Sequence, residues 1–250
     1  MANEILTETR GRVRLITLNR PEARNAVDTA LGQALVAAIG EMDSDDGITA
    51  GVLTGAGKGF SAGMDLKAFA TDGPPKGFHE FLSQGSRKPL IAAVEGFALA
   101  GGLEIALSCD LIVAARGVKM GIPEVNKGLF AAGGALFRLP ERVPYGVAME
   151  MALTSDPITS DQAHDLGLVC RLAEPGQAAA VALELAERIA RNAPLAVAAS
   201  KQILRSTRGL TEAEAWEVQA PHTAKVFRSE DAKEGPRAFA EKREPNWTGR

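Results

Sequence analysis

Three short stretches of the sequence hold residue types whose spacing can do chemistry. The first, Lys58-Gly59-Phe60-Ser61-Ala62-Gly63-Met64-Asp65-Leu66, is a run of small residues directly behind an apolar segment. Small side chains let a ligand come close to the backbone, where free N–H groups bind an anion. Taken alone, the run is more simply a tight surface turn. Gly57, Gly59 and Ala62 also fit the relaxed dinucleotide spacing G-x-G-x-x-A. That reading requires a helix opening at this point and an acidic residue about twenty positions on. Neither is evident near Pro74, Pro75 and Gly77.

In the second stretch, Ala98 to Ala106, paired glycines Gly101-Gly102 follow an apolar segment and open a helix-compatible one. A helix N-terminus presents unpaired N–H groups and a positive partial charge, so an oxyanion at Gly101 is stabilised without any side chain. Glu104 lies in the first turn amid Leu103, Ile105 and Leu107. It either complements the helix dipole or projects into an apolar pocket, where burial changes its acidity. In the third stretch, Gly121-Ile122-Pro123-Glu124-Val125, a carboxylate follows a turn proline. A single glutamate there is usually just a helix-start residue.

The elements that must position these groups alternate. Val13 to Leu18 reads as a strand broken by Asn19-Arg20-Pro21, and Asp28 is placed to cap a helix with Leu31, Leu35, Ala38 and Met42 on its apolar face. Ile48 to Thr54, Leu90 to Val94 and Leu111 to Ala115 are short apolar runs expected to be buried strands, with Gly101 to Cys109 helical between the last two. Such alternation predicts an α/β architecture. Beyond about Pro140 the pattern turns helical: from Ala178 to Arg191, Val181, Leu185 and Ile189 share a face, and Glu184-Arg188 and Glu187-Arg191 are four-residue charge pairs. Further helices are expected between Leu195 and Lys242.

Bulk properties narrow the function. The 250 residues, 46% hydrophobic and 24% charged, can bury one large core. The net charge of -3 lacks the electrostatic excess of a nucleic-acid binder. No apolar run is long enough to span a bilayer, and the polar start MANEILTETRGR lacks a signal-peptide core, so a soluble, cytoplasmic protein is expected. Cys109 and Cys170 sit in apolar stretches without metal or disulfide spacing and are expected to be reduced core thiols. His79, His164 and His222 are dispersed and show no ligand spacing for a metal. Ser61 and Ser108 lack a nucleophile elbow.

Taken in order, these pieces resemble the crotonase superfamily, the enoyl-CoA hydratase and isomerase family. The resemblance runs through Asn19-Arg20-Pro21 with Asn25-Ala26, Phe60 to Leu66, Gly101 to Glu104, Cys109-Asp110, Pro123-Glu124 with Gly128, Gly133-Gly134 with Arg138-Leu139, Ala163 to Val169, and the tail Ala238 to Arg243. It implies a spiral of repeated ββα units over residues 1–190 with a helical C-terminal trimerisation region over 191–250, assembled as a trimer or a dimer of trimers. It also implies that the N–H groups of Met64 and Gly101 hold a thioester oxygen. Glu124 then donates a proton at the α carbon and Glu104 orients and deprotonates water. Coenzyme A contacts carry over to Arg24, to Ala62, Met64, Asp65, Leu66 and Lys67 of the loop, to Gly101, and to Phe239 and Lys242 from a neighbouring subunit. The partner so implied is an acyl-CoA thioester, with coenzyme A part of the substrate and no separate cofactor or metal.

The activity expected is syn hydration of a 2-enoyl-CoA in fatty-acid or related acyl-CoA metabolism. An isomerase or a dehydratase acting on a carnitinyl-like thioester is the alternative within the family. A non-catalytic acyl-CoA- or RNA-binding relative is expected to lose a glutamate, and both are present. A nicotinamide dehydrogenase would need the dinucleotide loop. The chain departs from the family at Ala100, where relatives often carry a third glycine, and at Ala131-Ala132, where many hydratases carry proline and glycine. With Phe130 and Phe137 nearby to narrow the pocket, these changes leave the acyl group open.

Overall fold

The computed structural model describes residues 4–250. Strands β1 (Ile5–Arg10) and β2 (Val13–Leu18) pair antiparallel across a tight turn at Gly11. β1 was not expected: five of its six residues are exposed, so it carries little of the apolar signal by which a strand is recognised. After β2 the chain crosses over through α1 (Thr29–Ser44) to the parallel β3 (Ala50–Gly55). Asp28 caps α1 as expected, accepting from the Leu31 N–H at 2.9 Å, and Leu31, Leu35, Ala38 and Met42 are buried.

Two short helices, α2 (Leu66–Asp72) and α3 (Phe78–Gln84), precede β4 (Leu90–Val94), in which every residue is buried. A strand covered on both faces reads as an unbroken apolar run, as this one does. β5 (Phe97–Leu99) leads into α4 (Gly101–Ser108), followed by β6 (Leu111–Ala115) and β7 (Lys119–Gly121). A 3₁₀ turn, Pro123–Lys127, then gives way to α5 (Ala135–Arg138), α6 (Tyr145–Thr154), β8 (Ile158–Thr159), α7 (Ser160–Asp165) and β9 (Arg171–Ala173).

The strands form two sheets. The larger has the order β1-β2-β3-β4-β6-β9, parallel from β2 onward, and the smaller has the order β5-β7-β8. The core strand-helix alternation was therefore readable from sequence. The second sheet was not, because strands of two or three residues are too short to show a period.

Four helices close the chain: α8 (Ala178–Ala190), α9 (Pro194–Ser206), α10 (Glu212–Phe227) and α11 (Glu230–Glu241). α8 lies across β2, β3, β4 and β6. Its most buried residues are Ala178, Ala182, Leu183 and Ala186, while the expected Val181, Leu185 and Ile189 are only partly covered. Small side chains face the sheet because they let helix and strands approach closely, and the larger residues flank that seam. Of the cysteines, Cys109 is buried but Cys170 is exposed, which corrects the expectation of two core thiols.

A half-buried ion pair fixes α9 to the sheet. Lys201 Nζ lies 2.6 Å from Asp110, which also accepts from the Leu90 N–H at 2.8 Å at the start of β4 and lies 3.6 Å from Arg205. Lys201 is almost fully covered, and removing it leaves Asp110 with the Leu90 N–H and the more distant Arg205 as its remaining partners. Lys201→Ala is expected to lower stability by about 3 kcal/mol. Lys233→Ala, at an exposed pair with Glu230, should change it by less than about 0.5 kcal/mol. Urea denaturation midpoints of the two variants measure the contrast.

Candidate active site

The loop after β3 is anchored on both sides. Asn25 is buried, and its side-chain amide donates to the carbonyls of Ala56 and Gly59 at 2.9 Å each. Ser61 is fully buried, its hydroxyl donating to the Asn25 carbonyl and accepting from the Gly63 N–H, while its carbonyl accepts from Leu99. Its first half, Gly59 to Ser61, is thus buried, which overturns the surface-turn reading. Most of its N–H groups are also already committed. Ala62 donates to Arg24, Asp65 to Val27, and Lys67 and Ala68 to the Asp65 carboxylate.

Met64 is different. Its N–H, like that of Gly101, donates to no protein acceptor among the described residues, and both residues are partly open to solvent. The two stand together: a Cβ built on Gly101 would lie 3.3 Å from the Met64 nitrogen, and one on Gly63 would lie 2.6 Å from the Gly101 nitrogen. The approach depends on Gly102, where a Cβ would come within 2.2 Å of the Ser61 carbonyl oxygen. Two neighbouring, unspent amides at a helix N-terminus are a site for developing negative charge.

Ala100 sets the direction of that N-terminus at φ 51° and ψ -131°, a conformation suited to glycine. It is held there by its N–H bond to the Gly121 carbonyl and by its own carbonyl, which accepts from Leu103 and Glu104. Ala100 is thus one of three non-glycine residues about the loop at positive φ, with Arg24 and Asn25.

Glu104 is buried in the first turn of α4. Its carboxylate accepts from the Ala135 N–H at 3.2 Å and from Gly133. Burial pushes its pKa up, while those two amides and the charge of Arg138 pull it back. A Cβ at Gly133 would be 2.6 Å from Glu104 Oε2, so a larger residue there would push the carboxylate aside. Glu124 opens the 3₁₀ turn, and its pKa is raised to about 7, first by burial and then by the charge of Glu104. Its Oε2 is buried with no hydrogen-bond partner among the described residues. Both carboxyls are thus raised by burial, but the pair is asymmetric: two amides and Arg138 oppose the rise at Glu104, while the charge of Glu104 adds to it at Glu124.

The remaining expected contacts divide. Arg24 is exposed and joins the loop through its carbonyl. Leu66 and Lys67 are exposed at the start of α2, suited to meeting a ligand. Asp65 instead caps α2 and pairs with Arg20 at 3.5 Å, and these bonds hold its carboxyl below the usual range. Phe239 and Lys242 lie at the end of α11, which packs on α10, and no hydrogen bond or ion pair within the chain joins them to the loop. Phe130 and Phe137 are largely exposed, at 65% and 63%, so within this chain they do not narrow a pocket. Sequence reasoning gave no role to Arg138 or to the Gly133–Ala135 turn, although Gly133-Gly134 and Arg138 were visible as a motif.

Residues 8–250 match the family model for enoyl-CoA hydratase/isomerase. The chain belongs to that family. It is 44% identical to enoyl-CoA hydratase EchA19 of Mycobacterium tuberculosis over 99% of this chain and 97% of the relative. It is 38% identical to a carnitinyl-CoA dehydratase of Salmonella arizonae over the whole of both. A solved enoyl-CoA hydratase structure from Mycobacterium tuberculosis H37Rv superposes with a TM-score of 0.94 at 52% identity, covering all of each chain. The crotonase-type α/β fold expected from the sequence is thus the observed one.

The strain at Ala100 generates a test within this family member. Ala100→Gly should raise stability by about 1 kcal/mol, because relief of a left-handed alanine exceeds the added chain entropy. Thermal unfolding of the variant beside the parent is the measurement, and a lower melting temperature would show that the Ala100 methyl is supported by its packing.

Proposed function

We propose that the protein hydrates 2-enoyl-CoA thioesters to 3-hydroxyacyl-CoA, with Glu104 and Glu124 acting on one water. The observation that carries this reading is an unequal pair of carboxyls, a buried Glu104 and a half-buried Glu124 that feels its charge, with two unspent amides at the start of the helix that carries Glu104. The thioester oxygen accepts from the Met64 and Gly101 N–H groups. As water oxygen bonds to the β carbon, Glu104 takes one water proton and the double-bond electrons move toward the thioester oxygen. The resulting enolate collapses as Glu124 delivers its proton to the α carbon on the same face. Glu104 ends protonated and Glu124 ionised, and transfer of that proton between them restores the starting state.

The energetics are sufficient. Each amide donor to a developing oxyanion is typically worth about 3 kcal/mol. Positioned proton transfer adds about 10²- to 10⁴-fold. Glu124 Oε2 has no hydrogen-bond partner among the described residues, so its capacity is unspent, which supports its role as proton donor. The same groups run the reverse elimination, so the likeness to a carnitinyl-CoA dehydratase favours dehydration of a hydroxylated thioester as the second reading. Hydration of crotonyl-CoA against dehydration of β-hydroxy thioesters, compared by kcat/KM, separates them.

The finer features belong to the same proposal. Coenzyme A, carried in on the substrate, lies along Arg24, Ala62 and the exposed Leu66-Lys67 edge, with cationic side chains toward its phosphates. Phe239 and Lys242 reach it only from another subunit of a trimer or dimer of trimers. Their exposure, 86% for Phe239, supports such an assembly. No helix among the described residues is long and apolar enough to cross a membrane, in keeping with work on a dissolved acyl-CoA in the cytoplasm.

Two outcomes follow. Glu104→Gln and Glu124→Gln should each lower kcat by at least about 100-fold while binding of a saturated acyl-CoA is nearly unchanged. Parent-like turnover in both variants would end the assignment. Because Glu124 must be protonated to act and its pKa is about 7, hydration should decline as pH rises through about 7. A pH–rate profile flat across that interval would remove Glu124 as the proton donor.

A further inference from the structure

We propose that Arg138 is a positioning residue, a buried guanidinium that braces the turn holding Glu104 and keeps Glu104 as the charged member of the pair. The inference rests on the functional reading above, and nothing in the comparisons gives Arg138 a role.

Arg138 ends α5 and is buried, yet no carboxylate lies within ion-pair distance of it among the described residues. Burying an unpaired charge costs several kcal/mol. Its fork is instead spent on three segments of chain. Nη2 donates to the carbonyls of Leu82 and of Ser83, the latter at 3.3 Å, near the end of α3. Nη1 donates to Ser108 Oγ at 3.0 Å, at the end of α4, and to the Gly133 carbonyl at 3.4 Å. The Ser108 hydroxyl in turn stands 2.8 Å from the Glu104 carbonyl and 3.0 Å from that of Leu82.

This arrangement joins the two things that hold the Glu104 carboxylate. Gly133 is tied down through its carbonyl by Arg138 while its N–H, with that of Ala135, faces the carboxylate. A planar fork with five donors can bond several carbonyls at once, which an ammonium on a flexible stem cannot reproduce in the same geometry. Charge acts in the same direction. The charged groups facing Glu104 are Arg138 from α5 and Glu124 from the 3₁₀ turn. Those facing Arg138 are Glu104 together with Arg142, Arg205 and Arg208, which repel it. Asp110, near Arg205, is already held by Lys201. Glu104 is thus the carboxyl whose ionised form the Arg138 charge favours, and the Ser108 hydroxyl and the Gly133 peptide stand between them.

The test is the pH dependence of kcat/KM for crotonyl-CoA in Arg138→Met, Arg138→Lys and Ser108→Ala, with butanoyl-CoA binding measured in parallel. In the parent enzyme the acid limb reports the ionisation of Glu104 and the alkaline limb that of Glu124. Arg138→Met should lose at least about 10-fold in kcat, and its acid limb should move up by about one pH unit, since the ionised Glu104 has lost a nearby cation. Arg138→Lys should restore most of the limb's position but not the full kcat. Binding of butanoyl-CoA should stay within about threefold of the parent in each, because the thioester-holding amides are untouched.

Lower kcat in Arg138→Met with an unmoved acid limb reduces Arg138 to a structural brace and overturns the proposal. If Arg138→Met does not fold, the Lys and Ser108→Ala variants decide: both must lower kcat with the binding of butanoyl-CoA kept, and parent-like kcat in both overturns it. Absence of any hydration or dehydration by the parent enzyme would instead sink the functional reading itself, a result distinguishable from an immobile limb in an active enzyme.

Discussion

The whole site depends on one backbone-to-backbone approach, that of the loop through Ser61, Gly63 and Met64 against the first residues of α4. Two strangers in sequence, some forty positions apart, are brought so close that side chains at Gly102 or Gly63 would collide with main-chain atoms. The closeness is what leaves the Met64 and Gly101 amides side by side. It is maintained from beneath by Asn25 and the Ser61 hydroxyl, buried polar groups whose hydrogen-bonding capacity is spent on the loop. The sheets supply the rigidity on which this contact rests, with β3 delivering one partner and β5 the other.

Electrostatics then differentiates two residues of the same type. Burial favours the acid at both, but Glu104 also receives amide hydrogens and faces a guanidinium, which favour a carboxylate, while Glu124 has its neighbour's charge added to its burial. A pair of identical side chains thereby acquires different acidities from environment alone.

How much of this was legible in the sequence varied with the physics behind each element. The buried parallel strands Leu90–Val94 and Leu111–Ala115 showed as unbroken apolar runs, and Asp28 signalled the start of α1 through its capping chemistry. β1 was hidden because an exposed edge strand has no apolar face, and β5, β7 and β8 because they are too short. The glutamates and the paired glycines were visible, but their roles came from resemblance, since a lone glutamate near a helix start has ordinary explanations. Arg138 was visible as part of a motif, but its role was not. A buried arginine that bonds the carbonyls of Leu82, Ser83 and Gly133 and the Ser108 hydroxyl shows what it joins only in the folded chain. Cys170 misled for the converse reason: an apolar neighbourhood in sequence does not fix which way one residue at a strand's edge faces.

The crowding of Gly133 against Glu104 bears on how relatives are read. A methyl group at that glycine would occupy the volume of a carboxylate oxygen, so a drift from glycine to alanine there would displace the Glu104 carboxylate while leaving both acids intact in the primary structure. Inventories that judge competence by the presence of the two glutamates would count such a chain as an enzyme. The informative letter is a glycine about thirty residues downstream, which contributes no side chain at all.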